Sequence, residues 1–269
     1  MFCGVVLGTV VVASSFAWPV AWIGMELNLM AFIPYALSSL NTKKGAMAYF
    51  VCQSCGSLLV LVGGMLSDQG LLSLTMLLSG LVLKMGLLPL HFWVPLVVVH
   101  LSRPHLYLLI TWQKLGPLVL LLSVSFGLSL LSGLNAMFGA MSMCSITSLP
   151  VLLIFSGMVQ MGWVLVTSGW FSFYFLAIYF VVLGAVVLFS RSASVQFGWA
   201  LLNAGGLPPF SGFIIKLKAI LNIKNILVLL LVGSSGLALC SYVRLCLNSR
   251  MKAEPVSGAL VASCGVGMV

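Results

Sequence analysis

Residues Leu83–Pro95 read LKMGLLPLHFWVP. A lysine, a glycine and two prolines interrupt an otherwise apolar run, and they decide what the run becomes. Proline removes a backbone donor and clashes with the preceding turn, and an ionised lysine resists leaving water. Residues Gly205–Lys216, GGLPPFSGFIIK, repeat the theme with three glycines, two prolines and a lysine. Each stretch predicts a helix broken in the middle. Such a break is tolerated at membrane depth only where the freed backbone faces other protein or water.

The rest of the chain says which solvent it occupies. Of 269 residues, 62% are hydrophobic and 6% are charged, with twelve Lys and Arg against three acids and a net charge of +9. Soluble domains carry roughly a quarter of their residues charged, so a soluble globular fold is excluded. The seven cysteines are spread through apolar segments without the spacing of a disulfide framework. No basic patch exists that would bind phosphates, so nucleic acid is not a partner. The basic excess reads instead as the loop bias that orients a membrane protein. Runs such as Ile226–Val232 do not alternate apolar with polar, which selects helices over barrel strands. The N-terminal MFCGVVLG has neither the basic start of a signal peptide nor the Arg/Ser-rich character of a transit peptide, so no import address is expected.

The fold class expected is an all-α polytopic membrane protein with about eleven transmembrane helices. Ten fall near 2–17, 20–40, 46–66, 71–101, 105–125, 127–146, 149–167, 171–190, 195–223 and 225–247, with a short last piece at 256–269. The chain forms one transmembrane domain, 1–269. The broken segments 71–101 and 195–223 are the fourth of helices one to five and the fourth of helices six to ten. Five helices apart means opposite orientation, so the pattern predicts two inverted five-helix repeats, about 1–125 and 127–247, followed by the terminal helix. Loop charges agree with this count. Lys43, Lys44, Arg103, Arg191, Arg250 and Lys252 follow even-numbered helices, whereas Lys224 follows an odd one, on the side of Asp68. The N-terminus is thereby expected on the inner side.

Four ionisable residues fall well inside expected spans: Glu26, Lys84, Lys114 and Lys216. Each costs at least about 2.5–3.5 kcal/mol near a helix centre, so such groups face a bundle interior or a hydrated cavity and mark an ion path. Lys84 and Lys216 adjoin the two breaks, Lys114 lies in TWQKLGP with Thr111 and Gln113 as polar company, and Glu26 is the natural partner for a buried lysine. A buried ammonium near a carboxylate gains or loses its proton as neighbouring charges move. Lys218 reads as a snorkelling lysine. His91 serves either as a proton relay or as a post beside the break, and His100 and His105 read as surface groups flanking Arg103. Cys52-x-x-Cys55 has redox spacing but no second pair or adjacent histidine, so it reads as two small buried thiols. With three acids in all, and no phosphate loop or nucleophile–base set, the chain performs no bond chemistry of its own.

WIGMELNLMAFIP (22–34), LKMGLLPLHFWVP (83–95), LLITWQKLGP (108–117) and GGLPPFSGFIIK (205–216) resemble, in this order and spacing, the subunit 2 family of NADH dehydrogenase (ubiquinone), mitochondrial complex I. The resemblance implies an antiporter-like, proton-translocating subunit of two inverted five-helix repeats. It implies mitochondrial inner-membrane placement, many-fold crossing and an N-terminus in the matrix, as in animal members that lack three N-terminal helices of bacterial relatives. Glu26 matches the family's buried glutamate, Lys84 its partner, Lys114 the central lysine and Lys216 the lysine toward the exit. The family couples NADH oxidation and quinone reduction elsewhere in the complex to proton movement. It holds no cofactor itself; FMN, iron–sulfur clusters and ubiquinone belong to partner subunits. Expected partners are other membrane-arm subunits, especially other antiporter-like ones, and membrane lipids such as cardiolipin. The chain departs from the family at Leu96, where an acid is usual, and at Ile215, where proline is common. Two other functions remain open: a free-standing cation/proton antiporter, and a non-pumping structural subunit whose charges dock neighbouring helices.

Overall fold

The computed structural model describes residues 2–37, 43–66, 70–124, 127–167, 169–190, 195–208, 210–223 and 226–253. Among the described residues there are helices and turns and no strand. The order is α1 (Phe2–Ser14), α2 (Trp18–Leu37), α3 (Lys43–Met65), α4 (Leu71–Met85), α5 (Trp93–Val98), α6 (Arg103–Ile110), a 3-10 turn (Trp112–Lys114), α7 (Leu115–Val124), α8 (Leu128–Ser145), α9 (Leu149–Val166), α10 (Trp170–Phe189), α11 (Val195–Gly205), α12 (Ser211–Asn222) and α13 (Leu227–Ala253). Among the described residues, six stretches are long and apolar enough to cross a bilayer, including Arg103–Val124, Leu149–Val166 and Trp170–Phe189. The surface is that of a protein solvated by lipid. Phe16, Val181 and Leu188 lie on the outside, while Ser57, Ser132, Asn135 and Ser172 are sealed within. A water-soluble fold reverses that distribution.

The two expected breaks exist, and the backbone closes both in the same way. α4 stops where Gly86 turns to φ +65°, a left-handed conformation that glycine adopts without steric cost. The Gly86 N–H donates to Leu83 O at 3.1 Å and the Leu87 N–H to Val82 O at 3.1 Å. At the second break Gly206 takes φ +82°, and Gly206 and Leu207 donate back to Asn203 O and Leu202 O at 3.0 and 3.3 Å. Both are Schellman closures, which satisfy carbonyls that a helix end would otherwise orphan. Segment 71–101 is thus α4 and α5 with residues 86–92 between them, and segment 195–223 is α11 and α12.

A third break was not expected. The segment read as a plain helix over 105–125 is α6 and α7 joined by the 3-10 turn Trp112–Lys114. Thr111 leaves helical geometry (φ −103°, ψ −81°) and its hydroxyl donates to Tyr107 O at 2.6 Å. Short 3-10 stretches inside a helix often mark functional positions, and Lys114 ends this one.

The helices pack in neighbouring pairs, α1 on α2, α3 on α4 and α8 on α9, with α13 lying along α8. Arg244 of α13 fastens that last contact. Its guanidinium donates to Met143 O at 3.0 Å, to Ile146 O at 2.6 Å and to Cys144 O. Leu96 is exposed on α5, and Ile215 is buried in α12 beside Lys216. The expected terminal helix, 256–269, lies outside the described residues, as do the side chains of Lys43, Lys44, Asp68, Arg191, Lys224, Arg250 and Lys252.

Candidate functional site

Glu26 sits midway along α2, half-buried, and its carboxylate accepts a hydrogen bond from the Ser57 hydroxyl of α3. Lys84, in the last turn of α4, is 6% exposed and lies within electrostatic reach of Glu26, without a direct ion pair between them. The carbonyls released where α4 ends are taken up by side chains. Trp93 Nε1 donates to Leu83 O at 2.9 Å, and Gln53 Nε2 donates to Lys84 O at 3.1 Å. The break is therefore held from both sides, by α5 and by α3. This is what a buried interruption requires, since an unpaired backbone carbonyl away from water costs several kcal/mol in lipid.

Lys114 is 7% exposed and faces Gly157 of α9. A cavity of about 20 Å³, room for roughly one water, is lined by both Lys84 and Lys114, together with Gln53, Trp93 and Gln113. The polar company expected for Lys114 has turned elsewhere. Gln113 Nε2 donates to Asn28 Oδ1 at 3.1 Å, tying the 3-10 turn to α2, and Thr111 satisfies its own helix.

Lys216, in the second turn of α12, is 7% exposed, and its Nζ donates to Gly205 O at 2.9 Å across the second break. It does not snorkel. Lys218, by contrast, is exposed and stands 5.9 Å from the centre of the Tyr174 ring. A cavity of about 10 Å³, at the lower limit for one water, adjoins Lys216 and is lined by Gln160, Tyr179 and Asn203. Asn203 Oδ1 accepts from Gly212 N at 3.0 Å and so bridges the break. The structure thus groups Glu26 with Lys84 and Lys84 with Lys114, and holds Lys216 apart at the second break.

The histidines divide. His91 packs edge-on against Phe138, with centroids 4.7 Å apart, and stands in the segment between α4 and α5. His105 corrects the surface assignment: it is 8% exposed, its Nδ1 lies 2.5 Å from Ser102 Oγ at the start of α6, and its ring lies 4.1 Å from that of Tyr35. Cys52 is half-buried and Cys55 exposed, so the second thiol is not the buried group expected.

Sequence reasoning passed over one residue that organises the site. Asn135 of α8 is fully buried; its Oδ1 accepts from Leu88 N in the first break at 3.2 Å, and its Nδ2 donates to Met158 O of α9 at 2.7 Å. Ser57, Gln53 and Gln160 were missed likewise. The signal was present, because buried amides in a membrane core carry the same kind of cost as the charges that were singled out.

Broken helices with buried lysines at or beside each break define an ion-translocating membrane protein of the antiporter type. The family model described as NADH:quinone oxidoreductase/Mrp antiporter, TM, matches residues 64–195. The NADH-ubiquinone oxidoreductase chain 2 of Myxine glutinosa is 31% identical, over 96% of this chain and 86% of that protein. That of Lumbricus terrestris is 30% identical, over 91% and 84%. This chain belongs to the NADH-ubiquinone oxidoreductase chain 2 family. Among solved structures, the fold is similar to that in respiratory complex I from Thermus thermophilus, with TM-score 0.74, 20% identity and coverage of 91% of this chain and 68% of that one. It is also similar to the Mrp complex from Dietzia, with TM-score 0.78, 15% identity and coverage of 90% and 58%.

Proposed function

We propose that this chain is a core membrane-arm subunit of respiratory complex I, and that it carries protons across the inner mitochondrial membrane. The drive is electron transfer from NADH to ubiquinone in partner subunits, which hold the FMN, iron–sulfur clusters and quinone. The observation that carries this is the row of buried lysines with small polar cavities beside them, set at three interruptions of the helical backbone. Family membership supplies the partners, the other antiporter-like subunits among them. The two breaks at matching positions of the chain support a pair of inverted repeats, and the basic residues after even-numbered helices support an N-terminus on the matrix side. Anionic lipids such as cardiolipin suit its positive inner face.

A proton loads at Lys84 beside the Glu26 carboxylate, crosses the shared cavity to Lys114, and leaves by Lys216 at the second break. Each transfer changes the local charge and with it the proton affinity of the next site, so the groups titrate as a coupled set. The backbone clamps at Leu83, Lys84 and Gly205 keep the lysines in place while their charge changes.

The test is Lys114→Met in the intact complex. Assembly is read on a native gel by in-gel NADH oxidation, and pumping as protons taken up per NADH oxidised in vesicles. The ratio falls in a complex that still assembles. An unchanged ratio in the assembled complex overturns the proposal, whereas lost assembly points to the structural alternative. Sodium–proton exchange by the isolated chain without NADH would point to the free antiporter.

A further inference from the structure

The proton path above has an unfilled stretch. Residues 128–189, which include α8, α9 and α10, contain no Asp, Glu, Lys, Arg or His. Yet α9 and α10 are the helices that stand between Lys114 and Lys216. Whatever passes a proton there belongs to an uncharged group.

Three buried polar atoms at that gap lack a close hydrogen-bond partner: Gln160 Oε1 on α9 and Tyr179 Oη on α10, within the stretch, and Tyr242 Oη on α13, outside it, with the Ser156 hydroxyl beside both phenols. Buried hydroxyls and amides are nearly always paired, and one left alone costs about 1–3 kcal/mol. Gln160 and Tyr179 both line the cavity of about 10 Å³ beside Lys216. They mark a place where a guest, water or a proton in transit, completes the bonding.

Tyr179 is placed to serve both lysines. A methyl group built on Gly157 would lie 3.3 Å from Lys114 Nζ and 3.6 Å from Tyr179 Oη, so the ammonium and the phenol face each other across that glycine. On its other side, Tyr179 lines the cavity that holds Lys216 and Gln160. Tyr242 stands beside Tyr179 and Ser156, and its ring reaches Gly205, whose carbonyl binds Lys216.

We propose that Tyr179 is the proton-carrying group between Lys114 and Lys216, with Tyr242 and intervening water as its companions. The Lys114 ammonium gives a proton to a lone pair of Tyr179 Oη. As that O–H bond forms, the original Tyr179 O–H bond breaks and its proton passes through water to the neutral Lys216 amine. One N–H bond is lost at Lys114 and one is gained at Lys216. No electron moves, and the phenol is neutral before and after, needing only to rotate its O–H to act again.

The inference rests on the proton-carrying function proposed above, and the experiment separates the two. Tyr179→Phe, Tyr179→His and Lys114→Met are compared in the assembled complex by native gel, NADH oxidation and proton uptake per NADH. Tyr179→Phe assembles and loses proton uptake down to the level of Lys114→Met, and Tyr179→His, which keeps a group able to accept and donate, regains it. A wild-type ratio in Tyr179→Phe beside a lowered ratio in Lys114→Met overturns the Tyr179 step and leaves the broader function standing. Failure of Tyr179→Phe to assemble, or a loss that histidine does not restore, makes the tyrosine a packing group and overturns the step as well. A wild-type ratio in Lys114→Met overturns both.

Discussion

Replacing Gly157 by alanine should separate stability from pumping. A Cβ there would meet Lys114 Nζ at 3.3 Å, Ile110 Cγ2 at 3.6 Å and Tyr179 Oη at 3.6 Å. The tightest of these is the end of a flexible side chain, so no backbone has to move. In a helix, alanine is favoured over glycine by roughly 0.5–1 kcal/mol. Assembly should hold or rise slightly. The effect on the site has the opposite sign, because the methyl group fills the space through which the Lys114 ammonium meets its polar neighbours. Crowding that costs the ammonium one hydrogen bond on its way to the phenol costs about 1.5–3 kcal/mol. At about 1.36 kcal/mol per decade of rate, proton passage slows roughly ten- to hundredfold. The assay is initial proton uptake by vesicles under NADH oxidation, normalised to complex on a native gel. Undiminished uptake at wild-type assembly would refute the idea that this contact lies on the path. Reduced assembly would refute the packing argument.

Two other perturbations follow from the same geometry. Asn135→Leu strands Leu88 N, a buried backbone donor worth about 1–3 kcal/mol, and removes the second bond that Met158 O accepts beside its own helical one; complex yield and thermal midpoint on native gels should fall, while Asn135→Asp, which keeps the acceptor for Leu88 N, should retain part of both. Lys216→Ala should abolish NADH-driven proton uptake, and Lys218→Ala, two residues away but exposed over Tyr174, should leave it unchanged because a surface cation–π contact is worth only about 0.5–1 kcal/mol.

The breaks were legible because Gly86, Pro89, Gly206 and Pro208 act locally, through φ and a missing donor, whatever surrounds them. Glu26, Lys84, Lys114 and Lys216 stood out because the cost of a charge in lipid depends mainly on depth, which a span assignment gives. What went unseen depends on who the neighbour is. Nothing in TWQKLGP announces the 3-10 turn, which is bound to α2 through a residue 85 positions away. Asn135 reads as an ordinary polar residue until α4, α8 and α9 come together around it. His105 looks like a loop residue by its charged neighbour Arg103, and is buried because Tyr35 of α2 closes over it. The departures at Leu96 and Ile215 also resolve only in three dimensions: the first lies on the exterior, the second inside.

The clasp at Arg244 carries a lesson in counting. Its guanidinium, near the end of α13, holds carbonyls at the end of α8, so those two helix ends share one face of the bilayer. Chain that leaves a face and returns to it has crossed an even number of times. Between Ile146 and Arg244 lie α9, α10, the α11–α12 pair and α13. The tally is even only if α11 and α12, despite the gap between them, together make one passage and not two. With α9, α10 and α13 each long and apolar enough to cross, a single side chain thus fixes the parity of half the molecule without appeal to the charges in its loops.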